Sequence, residues 1–100
     1  MSEDDIVELP VDGELDLHAF APREVPSVVE EYLAECRRRG ILSARLVHGR
    51  GKGVQRAVVW RLLGSLEGVV SWRQAPPHAG GWGATLVELA PPGKPGRGEE

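Results

Sequence analysis

Apolar patterns of helix type and strand type alternate along this chain, and this alternation restricts the fold more than any other feature. Residues 21–40 and 53–66 place apolar side chains at intervals of three and four, which is typical of the buried face of a helix. Short apolar runs typical of strands lie at residues 14–18, 41–49, 68–75 and 84–90. The predicted order is therefore strand, helix, strand, helix, strand, loop, strand.

This order predicts a small α/β fold. Strands joined through a helix are expected to run parallel with right-handed crossovers, whereas the strand that follows a loop is expected to run antiparallel to the one before it. The 100 residues suffice for one modest core. We therefore expect a two-layer sandwich of order βαβαββ, in which two helices cover one face of a four-stranded mixed sheet.

Three segments are predicted along the chain. Residues 1–13 form an acidic segment, in which Asp12 and Gly13 indicate a turn and thus a short hairpin strand. Residues 14–90 form the folded domain. Residues 91–100 consist mostly of Pro, Gly and charged residues, so we expect them to form a disordered tail.

The composition excludes several classes of protein. No apolar run is long enough to cross a membrane, and the acidic start lacks the basic-then-apolar order of a signal peptide. Cys36 is the single cysteine, which excludes an intrachain disulfide and a metal site built from several cysteines. Its position in the helical stripe predicts a small core residue. We expect a cytoplasmic protein without a membrane partner, and the sequence does not indicate its oligomeric state.

The net charge of −3 conceals an uneven distribution of charge. Residues 1–36 are strongly acidic, whereas residues 37–73 contain nine Lys or Arg and a single acid, Glu67. A local basic surface matters more to an anionic partner than the charge of the whole chain. The simpler alternative is that these cations lie on solvated helix faces.

The glycine-rich stretch HGRGKG, residues 48–53, lies between the second strand and the second helix. A helix N-terminus carries free N–H groups and a partial positive charge, so it can bind a phosphate. Glycines let the backbone approach such an anion, and neighbouring cations add charge. The predicted phosphate-binding residues are Gly49, Arg50, Gly51, Lys52, Gly53 and Arg56.

Two familiar nucleotide-binding motifs do not match this stretch. A Walker loop requires a Ser or Thr after GxxxxGK, and a dinucleotide fingerprint requires GxGxxG after the first strand. An ATPase or an NAD-dependent enzyme is therefore disfavoured. The alternative to a phosphate site is a loop that needs its glycines only to turn.

Asp16, His18 and His48 are the candidate catalytic residues. Asp16 and His18 lie two residues apart on the first strand, so its alternation places both on one face near the carboxyl end. His48 ends the second strand, and the three residues converge if the two strands are neighbours. A carboxylate can orient an imidazole and raise its basicity, so the pair could activate water or hold a divalent metal ion. The alternative is a hydrogen-bonded turn without a catalytic role.

Two residues outside these motifs are further candidates for contacts with an anionic polymer. Trp82 lies in the loop GGWG and either stacks on an unpaired base or covers part of the core. Trp60 and Trp72 are expected to pack in the core or face a partner. Arg73, at the end of the third strand, extends the predicted basic surface.

Three stretches taken together resemble a known family. LDLHAF, VHGRGKGVQRAV and GGWGATLVEL occur in the order, and at the distances, of the motifs LDLHG, HGxGxGxLR and GGxGxTxVEL of the Smr (small MutS-related) domain. The chain therefore resembles a stand-alone Smr protein over residues 14–89. The resemblance implies a fold similar to the C-terminal domain of bacterial translation initiation factor 3. It also implies binding of nucleic acid and, in some members, nicking or cleavage of DNA or RNA.

Three functional hypotheses follow. The first is a metal-assisted endonuclease with a preference for nucleic-acid structure rather than sequence, in which Asp16 and His18 orient water or a weakly bound Mg²⁺ or Mn²⁺ ion. In this hypothesis His48 acts as acid, base or phosphate donor. A single carboxylate supplies too few oxygen ligands to hold such an ion tightly. The second is a non-catalytic module that binds DNA or RNA, and the third is a protein-interaction domain that uses the acidic N-terminal segment.

Overall fold

The computed structural model describes residues 11–51, 53–94 and 96. The segment in which the first hairpin strand was predicted therefore lies almost entirely outside the described residues. The strands are β1 (Glu14–Asp16), β2 (Ser43–Val47), β3 (Val69–Gln74) and β4 (Ala84–Leu89), and the helices are α1 (Val25–Arg38) and α2 (Val54–Leu63). Single 3₁₀ turns lie between β1 and α1, at Leu17–Ala19 and Pro22–Glu24, and between β3 and β4, at Pro77–Ala79 and Gly81–Gly83.

The four strands form one mixed sheet in the order β1-β2-β4-β3. β1 runs parallel to β2, and β4 runs antiparallel to both of its neighbours, β2 and β3. This confirms the predicted α/β sandwich and the antiparallel last strand, and it adds that β4 lies between β2 and β3. Asp16 pairs in register with Val47. The carboxyl ends of β1 and β2 consequently meet at one edge of the sheet, which we call the site edge.

The helices cover one face of the sheet because both are apolar on one side. Val25, Val29, Tyr32, Leu33 and Cys36 of α1 are buried, and they pack with Val59 and Leu63 of α2 in the same core cluster. The sheet contributes its alternate residues to this cluster, among them Leu15, Leu46 and Val87. The buried Cys36 confirms its prediction as a core residue. Neither helix of the described part of the chain has the length and apolar character needed to cross a bilayer.

The other face of the sheet carries polar side chains. Glu14 pairs with Arg45, Arg45 with Leu86, and Leu86 with Arg73 across the strands, so these four residues form one row. Arg45 forms an ion pair with Glu14 and also donates a hydrogen bond to the carbonyl oxygen of Ala79 at 2.8 Å. Arg45 thus ties the loop before β4 to this face.

The C-terminal end of α1 holds the chain that follows β4. Arg37 donates hydrogen bonds to the carbonyl oxygens of Ala90 at 2.8 Å, Pro91 at 2.9 Å and Lys94 at 3.0 Å. The beginning of the segment that we expected to be a disordered tail therefore has defined contacts. Composition did not indicate them, because the partner is an arginine more than 50 residues away in the sequence.

Candidate functional site

Asp16 and His18 contact each other through a turn rather than along a strand. β1 ends at Asp16, and Leu17–Ala19 form a 3₁₀ turn. The Asp16 carboxylate caps this turn, because its Oδ1 atom accepts a hydrogen bond from the backbone N–H of His18 at 2.9 Å. The same oxygen lies 2.7 Å from Nδ1 of the His18 ring. The predicted proximity is present, but the predicted strand alternation through residue 18 is wrong.

This arrangement sets the charge of Asp16 and the ring nitrogen of His18 that faces it with a proton. The pKa of Asp16 is lowered, first by the hydrogen bond from the backbone N–H of His18 and second by the hydrogen bond from its ring. Asp16 is therefore a carboxylate at neutral pH and can only accept. The His18 ring consequently carries its proton on Nδ1, which leaves the Nε2 lone pair free when the ring is neutral.

The His18 ring lies directly against the backbone of Gly49. Gly49 has φ +86°, and a Cβ atom built there would lie 2.6 Å from His18 Nε2. Glycine is required at this position both for the backbone conformation and for the close approach of the imidazole. His18 Nε2 therefore lies at the beginning of the glycine-rich turn, which we define as residues 49–53.

Only some backbone amides of the glycine-rich turn can contact a ligand. The N–H groups of His48 and Gly49 donate to the carbonyl oxygen of Gly83, and the N–H of Gly53 donates to Arg50. The first-turn N–H groups of α2 have no side-chain cap, since Gly53 is the N-cap residue and adopts a left-handed conformation. An anion is thus best placed at Gly51 and the first turn of α2, rather than at all three glycines. Lys52 lies outside the described residues.

His48 is buried, and both of its ring nitrogens are occupied. Its Nδ1 atom lies 3.1 Å from the carbonyl oxygen of Gly49, and its Nε2 atom lies 2.8 Å from Oγ1 of Thr85. Because a carbonyl oxygen can only accept, Nδ1 carries the proton. Nε2 then accepts from the Thr85 hydroxyl, which itself accepts from Nε1 of Trp60 at 2.9 Å.

The electrostatics of His48 agree with a neutral ring. Burial lowers its pKa most, the positive charges of Arg56 and His18 lower it further, and the hydrogen bond to Gly49 opposes them. A neutral ring with two internal hydrogen bonds positions the start of the glycine-rich turn. This geometry favours a positioning role for His48 over its predicted role as acid, base or phosphate donor.

Arg56 lies between two tryptophan rings. Its guanidinium carbon is 4.2 Å from the centroid of Trp60 and 4.1 Å from that of Trp82, which are cation–π distances. We call this set of three residues the Trp–Arg stack. Trp60 also meets Trp72 edge-on, with ring centroids 6.2 Å apart. Trp60 and Trp72 pack against the core, as predicted, whereas Trp82 covers Arg56 and keeps 41% of its surface exposed.

The remaining predicted cations fall in different places. Arg50 lies beside the GGWG loop, since Cβ atoms built at Gly81 and Gly83 would meet its side chain at 3.5 and 3.3 Å. Arg73 is exposed on the face of the sheet opposite the helices, in register with Leu86. The structure therefore brings Arg50 and Arg56 to the site edge and places Arg73 on the opposite face of the sheet.

Sequence reasoning overlooked two residues that support this site. Thr85 links Trp60 to His48, and Arg45 anchors the loop that leads to Trp82. Two signals for Thr85 were available: it occupies the T position of the motif GGxGxTxVEL, and it is a hydroxyl residue on the core-facing side of β4. No comparable signal marked Arg45, because its partners come from two separate segments.

The donors present do not form a set that would hold a resident metal ion. Among the described residues there is no group of three or more His, Cys, Asp or Glu side chains that could surround one. Asp16 Oδ1 and His18 Nδ1 are engaged with each other, which leaves one carboxylate oxygen and one ring nitrogen. Mg²⁺ and Mn²⁺ prefer several oxygen ligands. The residues of the site must therefore account for the chemical step by themselves.

Comparison with known proteins gives a consistent result. The family model of the Smr domain matches residues 15–90. Endonuclease MutS2 of Thermus thermophilus is 37% identical over 78 residues, which are 78% of this chain and 10% of that protein. Endonuclease MutS2 of Thermotoga petrophila is 33% identical over 76 residues, or 76% of this chain and 10% of the relative. This chain thus spans about a tenth of the length of these relatives.

Two solved structures share the fold. The crystal structure of the Smr domain of Thermus thermophilus MutS2 superposes with a TM-score of 0.75 and 36% identity, covering 80% of this chain and 100% of that one. The structure of YdaL, a stand-alone small MutS-related protein from Escherichia coli, gives a TM-score of 0.74 at 26% identity, covering 81% of this chain and 66% of that one. The sequence motifs, the sheet order and these matches agree, and the chain belongs to the Smr domain family.

Proposed function

We propose that this Smr domain binds the sugar-phosphate backbone of nucleic acid at the site edge and cleaves a phosphodiester bond there. The observation that carries the proposal is the contact of the Asp16–His18 pair with Gly49, the first residue of the turn that leads to the uncapped N-terminus of α2. A group suited to proton transfer and a group suited to anion binding thus share one edge. The endonuclease relatives support this proposal, although they are about ten times longer than the matched region.

The binding step uses the backbone and the cations of the glycine-rich turn. A phosphate at Gly51 would accept hydrogen bonds from the first-turn N–H groups of α2. The positive end of the helix dipole would stabilise its charge. Arg50 belongs to the same turn, and its guanidinium forms no hydrogen bond or ion pair with any described residue, so it is free to contact the phosphate. These contacts bind phosphate groups and do not distinguish one base from another. They therefore agree with recognition of nucleic-acid structure rather than sequence.

The chemical step uses His18 as the base. Asp16 holds the His18 ring with its proton on Nδ1, so Nε2 can take a proton from an attacking hydroxyl, either water or the 2′-hydroxyl of RNA. The hydroxyl oxygen forms a bond to phosphorus, and the bond from phosphorus to the leaving oxygen breaks. The leaving oxygen takes a proton from solvent or from the protonated ring. N–H donors at the phosphate stabilise the charge that develops.

The test is a cleavage assay on supercoiled DNA and on structured RNA with the wild-type chain and Asp16→Asn. Each reaction is run with Mg²⁺, with Mn²⁺ and with EDTA. We expect Asp16→Asn to lose at least about 100-fold in rate, since it removes the group that orients the base, and to bind substrate with unchanged affinity. Equal cleavage by both proteins would contradict the catalytic part of the proposal.

A second function has a specific observation in its favour. His48 has no free nitrogen, so a cleavage reaction would have only one of the two histidines for proton transfer. A module that binds nucleic acid without cutting it needs only the glycine-rich turn and its cations. Binding without cleavage under all three metal conditions would favour this function over the first. The predicted protein-interaction function involves residues outside those that the structure describes.

A further inference from the structure

We propose that Trp82 stacks on an unpaired nucleobase next to the bound phosphate, and that the preferred substrate therefore contains an unpaired nucleotide at the site edge. This inference rests on the proposed binding of phosphate at the glycine-rich turn and names the class of substrate for that site. The chemistry concerned, a free base face beside a phosphodiester, is common to DNA and RNA.

The first observation is an exposed apolar surface at the mouth of the proposed phosphate site. Large hydrophobic side chains are exposed at only three described positions, namely Val54, Val70 and Trp82. Two of them flank Gly53, since Val54 follows it in the chain and a Cβ atom built at Gly53 would lie 3.4 Å from Cζ2 of Trp82. Exposed apolar surface indicates a binding site, and beside a phosphate site it is suited to contact the base of a nucleotide.

The second observation is that Trp82 is held in place before any ligand binds. Its ring contacts the Arg56 guanidinium, whose central carbon lies 4.1 Å from the Trp82 centroid and 4.2 Å from the Trp60 centroid. Trp60 is fixed in turn by its hydrogen bond to Thr85. An aromatic ring that is already fixed loses little conformational freedom on binding, so its exposed part can contribute its full stacking energy.

The GGWG loop that carries Trp82 is also anchored to the glycine-rich turn. The carbonyl oxygen of Gly83 accepts hydrogen bonds from the N–H groups of His48 and Gly49, at 3.0 and 2.9 Å. The distance between the stacking ring and the phosphate site is therefore set by the fold. A base and its own phosphate can occupy the two positions together only if the base has left a helical stack, since both faces of a paired base are covered by its neighbours.

The experiment compares three matched hairpins by fluorescence anisotropy, each made as DNA and as RNA. The same non-nucleotide linker closes each stem, so no loop base is present. One stem is fully paired, one carries a single unpaired nucleotide, and one carries an abasic nucleotide at the same position. We expect the wild-type chain to bind the hairpin with the unpaired base about tenfold tighter than the abasic one. Trp82→Leu should remove this difference, whereas Trp82→Phe should retain most of it.

Val70→Ala is the matched control, because Val70 is an exposed apolar residue on β3 with 39% of its surface accessible. It should leave all the affinities unchanged. If Trp82→Leu weakens binding of all hairpins equally, Trp82 acts only by holding Arg56, and the stacking inference is overturned.

Equal affinity of the wild-type chain for the unpaired and abasic hairpins would also overturn the inference while leaving the proposed function intact. This comparison does not depend on the folding of any variant. Failure to bind any hairpin would instead contradict the proposed function itself. The DNA and RNA sets show which polymer supplies the unpaired base.

Discussion

At the scale of single residues, the two histidines of the site have different surroundings and hence different uses. His18 is exposed, is oriented by Asp16 and keeps Nε2 free beside Gly49. His48 is buried and uses both nitrogens within the protein. Their sequence motifs made both histidines candidates for catalysis. The hydrogen bonds of Thr85 and Gly49 to the His48 ring distinguish the two.

The buried ring of His48 predicts a pH dependence of stability. Its folded pKa lies below its ordinary value of about 6.5, so the unfolded chain binds the proton more readily. The stabilisation is complete above pH 6.5 and is lost as the pH falls towards the folded pKa. Wild-type protein should therefore lose free energy of unfolding between pH 7 and pH 5, as measured by urea denaturation.

His48→Asn provides the comparison for that measurement. Asparagine keeps the donor to Gly49 but loses the acceptor for Thr85, so we expect a cost of about 1–2 kcal/mol at pH 7. Its stability should fall less between pH 7 and pH 5 than that of the wild type, because every other titrating group is common to both proteins. Parallel curves would show that His48 is not the group that titrates.

At the scale of structural elements, the turn after β1 packs against the glycine-rich turn because Gly49 has no side chain where His18 contacts it. Gly49→Ala should destabilise the fold by about 1–2 kcal/mol, since a Cβ atom is unfavourable in a left-handed conformation. It should also lower the cleavage rate strongly, because the new atom would overlap His18 Nε2. Thermal unfolding and the cleavage assay measure the two effects separately.

The matched control for this prediction is Gly40→Ala at the end of α1. Gly40 has φ +78°, but a Cβ atom there would meet nothing within 4 Å. The substitution should cost a similar amount of stability and leave cleavage unchanged. If Gly49→Ala cleaves as fast as Gly40→Ala, the packing of His18 on Gly49 has no part in the reaction.

The elements also show how far periodicity can predict this fold. Both helices and all four strands followed from apolar spacing, because burial of one face is a local property of the sequence. The end of β1 did not follow, since Leu15 and Leu17 are both buried and only the capping contact of Asp16 distinguishes strand from turn. The place of β4 between β2 and β3 was also not predicted, because strand order depends on pairing between distant segments.

The candidate site was predictable to a similar degree. The motifs located Asp16, His18 and the glycine-rich turn, and the parallel pairing of β1 and β2 brings them to one edge. The Trp–Arg stack was not predicted, because it joins α2 to the loop before β4. Side-chain partners from distant segments thus account for most of what sequence reasoning missed.

At the scale of the whole molecule, folding uses much of the basic charge internally. Arg38 and Arg39 form ion pairs with Glu35, Arg37 binds backbone carbonyls, and Arg45 pairs with Glu14. The arginines at the end of α1 lie at the edge of the sheet opposite the site edge, since α1 leads into the start of β2. The basic surface available to an anion is therefore smaller than residues 37–73 indicate.

This distribution predicts a modest dependence of binding on salt. Two or three phosphate contacts correspond to a slope of about −2 to −3 in a plot of log K against log salt concentration. Arg50→Gln should reduce the slope by about one. Arg38→Gln, a control with an ion pair on α1, should leave it unchanged. A slope near zero for the wild type would show that phosphate contacts do not hold the ligand.

The most direct test of the proposed nucleic-acid site is to map where nucleic acid binds on the folded chain. A ¹⁵N-labelled sample is titrated with the hairpin that carries one unpaired nucleotide, and the shifts of its amide and indole signals are followed by NMR. We predict that the largest shifts occur together at His18, Gly51, Val54 and the Trp82 indole, and that signals at the opposite edge, such as Gly40, do not move. Shifts concentrated at Gly40 and Lys94, or on the polar face at Ser43 and Glu88, would contradict a nucleic-acid site at the edge where Asp16, His18 and the glycine-rich turn meet.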